Sequence, residues 1–202
     1  MHSSTYDAER EKGNCMHIDK ERNMKPTKTL ALTALFIAIG IILPSVFHAF
    51  GAGSVFLPMH IPVLLCGLIC GPFWGLAAGI ITPILSSMMT GMPPAGILPS
   101  MLCELVAYGF FSGLFIHMIR TSRNIVNLYA SLILTMLLGR IIAGILNAIV
   151  FKAGAYSLAV WISAMFVQGL PGILIQLTII PAAVLALQKA KLIQMQQKTA
   201  KA

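Results

Sequence analysis

From Thr29 to Cys103 the chain runs for 75 residues without one Asp, Glu, Lys or Arg. One helical crossing of a bilayer takes about 20 residues, so the run is long enough for three or four crossings, and the chain must reverse direction inside it. The whole sequence agrees: 57% of its 202 residues are hydrophobic and only 10% charged, with a mean hydropathy of +0.86, far above a soluble domain. The expected fold is an all-α integral membrane protein, because a helix satisfies its own backbone where there is no water to do so.

Prolines and glycines mark the reversals, since an apolar turn can use them without adding side-chain polar groups that would need partners in lipid. "FLPMHIPVLLCGLICGPFWG", residues 56 to 75, reads as a loop end, a short helix and a turn. The pattern predicts six spans, at about 28 to 47, 58 to 71, 73 to 90, 96 to 119, 126 to 150 and 158 to 187. At 1.5 Å per residue the second is roughly 21 Å long, short for a bilayer, so it is either flanked by chain that dips inward or partly buried in protein.

Basic residues set the orientation, because Lys and Arg near span ends stay cytoplasmic. Arg10, Lys12, Lys20, Arg22, Lys25 and Lys28 precede span one, Arg120 and Arg123 lie between spans four and five, and Lys189, Lys191, Lys198 and Lys201 follow span six. Six spans put these segments on one face, with both termini cytoplasmic and Lys152 outside. The net charge of +8 then reflects topology and contact with anionic lipid, with no nucleic-acid patch expected. Residues 1–24 are polar, hold five of the six acidic residues and are expected to form a disordered cytoplasmic tail that is no signal peptide; Met16 and Met24 are alternative translation starts. Residues 25–190 form the six-helix domain and 191–202 a basic tail.

The cysteines suggest no disulfide framework: Cys15 lies in the tail and Cys66, Cys70 and Cys103 in spans. Cys66 and Cys70 share a helix face but lack the further ligands that zinc requires, so they are expected to pack, and no metal or cofactor is expected. Gly67, Gly71, Gly75 and Gly79 recur every fourth residue, a spacing that lets membrane helices approach closely.

Inside the spans stand two ionisable groups of consequence, Glu104 and Arg140, each costly in a bilayer unless paired or facing a cavity. Counted from the outer ends of their spans, Glu104 lies about 12 Å deep and Arg140 about 15 Å, with Gln168 about 15 Å into span six. Two readings stay open: a buried ion pair that fixes helix register, or the lining of a ligand pocket open to the outside. Both hold together if the pair loosens as ligand arrives. Tyr108, one turn beyond Glu104, and Asn147, two turns beyond Arg140, share those faces. His60 stands at the outer end of span two, and Phe56 and Pro58 make the preceding loop apolar and stiff, as a lid would be.

Enzyme motifs are missing: there is no G-x-x-x-x-G-K-[ST], H-E-x-x-H or G-x-S-x-G, so no catalytic residue is expected and the chain cannot itself cradle and hydrolyse ATP. The sequence resembles the substrate-binding S components of energy-coupling factor (ECF) vitamin transporters. The features that carry the resemblance are the six spans, "ALTALFIA" with Ala34 and Ala38 matching an Ala-x-x-x-Ala motif, the run from Phe56 to Pro94, and "GRIIAGI" in span five. The resemblance implies capture of a vitamin or related small cofactor precursor from outside. A transmembrane T component and two cytoplasmic ATPases would supply the energy, with Ala34 and Ala38 facing the partner. Among ligands, an acid such as pantothenate would want Arg140 unpaired, whereas a donor-rich base would suit Glu104; both charges together favour a ligand offering donors and acceptors, with a neutral heteroaromatic compound preferred. The rival class is a stand-alone secondary transporter, for which the expected internal repeat is not evident.

Overall fold

A computed structural model describes residues 26–49, 58–119, 124–147 and 170–190. Among these the chain forms six helices: α1 (Pro26–Ala49), α2 (His60–Cys70), α3 (Pro72–Thr90), α4 (Leu98–Met118), α5 (Asn124–Leu146) and α6 (Leu170–Lys189), and no strand. All but α2 are long and apolar enough to cross a membrane. By internal contacts the chain divides at Leu32: residues 26–32 are the first turns of α1, and residues 33–202 carry everything described below.

The fate of α2 settles the question raised by its length. Residues His60 through Leu68 are all buried, so this 11-residue helix is enclosed by protein; a helix apolar on every side belongs in an interior. Its partners are α3, α4 and α6. Gly71 joins it to α3 in one residue, at φ 101° and ψ 173°, a conformation open essentially to glycine. The Gly71 N–H donates to Gly67 O at 3.0 Å and its own carbonyl accepts from Gly75 N–H at 2.9 Å. Pro72 follows as the first residue of α3, where its missing N–H costs nothing.

Small residues then let α4 come against both arms of this hairpin. A β-carbon on Gly67 or Gly75 would collide with the carbonyl oxygen of Gly109, and one on Gly79 would stand 2.5 Å from that of Leu105. The four-residue glycine spacing is thus a backbone-to-backbone seam, the use the sequence predicts. The α1 helix approaches through Gly40, where a β-carbon would stand 2.6 Å from Thr82 Cγ2 of α3, and Cys66 Sγ on α2 lies 3.7 Å from Thr33 Oγ1. Cys66 also reaches the Trp74 carbonyl at 3.6 Å, which fits the packing role expected of it.

The sixth span was expected from about residue 158; its first part, to residue 169, lies outside the described residues, and the described α6 runs 20 residues from Leu170 to Lys189. That is about 30 Å, a full crossing by itself.

Candidate ligand-binding site

Four helices close on a common interior: α2 packs on α4, α4 on α5, α5 on α6, and α6 on α2. Near one end of α4, Asn147 at the end of α5 donates through Nδ2 to Ser100 Oγ at 2.6 Å. The start of α4 therefore lies beside the end of α5, and the two helices run antiparallel. Glu104 and Arg140 are each six residues in from those ends, about 9 Å at the helical rise. They share one level, as their depths in the sequence predict.

The structure brings four of the predicted residues together. The Tyr108 hydroxyl, on the next turn of α4, donates to Glu104 Oε1 at 2.9 Å. The His60 ring comes from α2, with Nε2 3.7 Å from the same oxygen, outside hydrogen-bond range but close enough for charge to act. Its ring meets that of Tyr108 edge to face, centroids 5.3 Å apart at 64°. From α5, Arg140 lies near enough for its charge to act on Glu104 and Tyr108. Tyr108 is fully buried and His60 is 1% exposed, whereas Glu104, at 19%, and Arg140 are half-buried. Beneath them Met59, Val63 and Leu105 form an apolar core, with Met101 packed against it.

Two residues that sequence reasoning passed over hold this cluster in shape. A β-carbon on Gly139 would collide with the Tyr108 ring, so the residue preceding Arg140 is the bare seat on which Tyr108 lies. Ser100 braces Asn147, whose Nδ2 also donates to the Ala143 carbonyl at 2.8 Å. Both N–H groups of Asn147 are thereby used inside the protein, tying α5 to α4 beside the cluster. Phe56 and Gln168 lie outside the described residues. In the sixth helix the buried polar side chain is Gln176, 1% exposed, six residues in from Leu170. Ala34 and Ala38 are exposed on one face of α1, in a stripe with Leu35 and Ile42, apart from the cluster.

Residues 28–184 match the family described as ECF transporter, substrate-specific component. The chain belongs to this family. It is thus a multi-pass protein of the cell membrane and the substrate-specific component of an ECF transporter. A "Probable tryptophan transport protein" of Bacillus subtilis (strain 168) is 34% identical to this S component over 166 residues, 79% of this chain and 84% of the relative. No solved structure matches the chain.

Proposed function

We propose that this S component captures a zwitterionic aromatic amino acid, with tryptophan as the ligand, for ATP-driven uptake by a T component and two cytoplasmic ATPases. The observation that carries the reading is the meeting of a carboxylate and a guanidinium, Glu104 and Arg140, in one mostly enclosed cluster walled by the rings of Tyr108 and His60. A zwitterion presents the complementary pair: its ammonium meets Glu104 and its carboxylate meets Arg140. Each protein charge then exchanges an internal partner for a ligand ion and neither is left bare, the condition under which buried charges are tolerable. Rings at the wall suit an aromatic side chain. The name of the Bacillus relative points to the same ligand, whereas the vitamin-like precursor expected from the wider family has no such support here.

The energising partners follow from family membership and from the missing phosphate-binding loop. The exposed Ala34 and Ala38 offer a face on α1 small enough for a partner helix to approach.

The test is a thermal-shift series on detergent-purified protein with L-tryptophan, indole, and a panel of water-soluble vitamins that includes pantothenate and riboflavin. A ligand at 100 times its dissociation constant adds about 2.7 kcal/mol to the folded state. L-tryptophan is expected to raise the melting temperature, and Glu104→Gln or Arg140→Gln to abolish the rise. Stabilisation by a vitamin and none by tryptophan would overturn the amino-acid reading; uptake that persists without any ATPase partner would favour the secondary-transporter class instead.

A further inference from the structure

Gln176 is the one side-chain amide in the buried stripe of α6, which continues as Ile180 and Val184, both at 0% exposure. Neither its Nε2 nor its Oε1 has a hydrogen-bond partner. A buried hydroxyl can bond within its own helix, as Thr135 does by donating to the Ser131 carbonyl at 2.7 Å, although the Thr82 and Ser131 hydroxyls have no partner. A primary amide carries two N–H donors and a carbonyl, too many groups and too long a stem for its own helix to satisfy. An amide kept in an apolar stripe with nothing to bond is costly, and it calls for a polar group that the chain itself does not supply.

Its place in the fold says where that group sits. The helices next to α6 are α2 and α5, which carry His60 and Arg140, so α6 closes the fourth side of the interior whose other walls hold the charged cluster. Gln176 is six residues in from Leu170 on the helix that packs against both. The His60 ring nitrogens, on the neighbouring α2, also have no hydrogen-bond partner.

We propose that Gln176 is a specificity-determining residue of the ligand site, accepting the ring N–H of an indole-type ligand on its Oε1. The inference rests on the amino-acid reading above. With the ammonium and carboxylate taken by Glu104 and Arg140, the indole N–H is the one remaining hydrogen-bonding atom of such a ligand, and a neutral amide with apolar neighbours one and two turns along suits it. A site that hydrogen-bonds a ligand N–H discriminates strongly against the analogue lacking it, because the protein group is then left unpaired.

The experiment is calorimetric titration of the purified full-length protein with L-tryptophan and with 3-benzothienyl-L-alanine, in which sulfur replaces the ring N–H. Wild type is expected to prefer tryptophan by about tenfold or more. Gln176→Leu should bring the two affinities within about twofold by weakening tryptophan, while binding of the benzothienyl analogue holds or improves. Leucine continues the apolar stripe, and Gln176→Met, similar in length, supplies a second variant with the same expected loss of discrimination. If either folded variant keeps the wild-type preference, or wild type shows none, the role of Gln176 falls while tryptophan capture stands. If wild type binds neither compound, the amino-acid reading falls and takes this inference with it.

Discussion

Removing Glu104 alone leaves the half-buried Arg140 guanidinium without the carboxylate charge beside it, and removing Arg140 leaves the Glu104 carboxylate without its countercharge. Breaking such a pair from one side costs about 3–5 kcal/mol, most of it the penalty of the charge left behind. Glu104→Ala and Arg140→Ala should therefore each lower the melting temperature of the ligand-free protein. The double variant should melt above at least one of them, since no charge then remains. A thermal-melt cycle on the four proteins checks this; strictly additive losses would mean that the two residues do not act on each other. Gly139 belongs to the same account, because the Tyr108 ring occupies the space that any larger residue would need.

At the scale of elements, the α2–α3 hairpin and α4 are held by backbone meeting backbone. Membrane helices have no hydrophobic drive toward one another, so close approach and the dispersion contacts it brings carry the association. Gly109 faces the carbonyl of Gly75 where α3 crosses α4, with no room for a β-carbon. Gly109→Val is expected to abolish the monodisperse peak in size-exclusion chromatography. Gly96→Ala, at a position where a β-carbon meets open space, should leave the peak unchanged. This seam was legible in the sequence as four-residue glycine spacing.

At the scale of the whole molecule, the cluster around Glu104 and the exposed Ala34–Ala38 face of α1 are separate surfaces, so on the proposed function capture and coupling should be separable by mutation. Ala34→Leu and Ala38→Leu add bulk to an exposed face of α1. They are expected to leave tryptophan binding within about twofold of wild type, a change under 0.5 kcal/mol. They should abolish ATP-dependent uptake in cells that supply the T component and ATPases. Unchanged uptake would show that the partner docks elsewhere.

By itself the sequence determined that this protein lives in a membrane, about where it crosses, and that Glu104 and Arg140 lie inside at one depth. Those properties are sums over local terms: apolar length sets a crossing, and the cost of a charge depends on its depth. Only the tertiary structure decided that α2 is enclosed, that Tyr108 and His60 join Glu104 and Arg140, that Asn147 is braced by Ser100, and that Gln176 faces the interior. The reason is rotational. In a soluble helix the polar face shows which side turns away from the core, but here the sides that face lipid and the sides that face neighbouring helices are about equally apolar. The turn of each helix about its own axis, and with it the company each polar side chain keeps, is set by which small residues let which backbones meet.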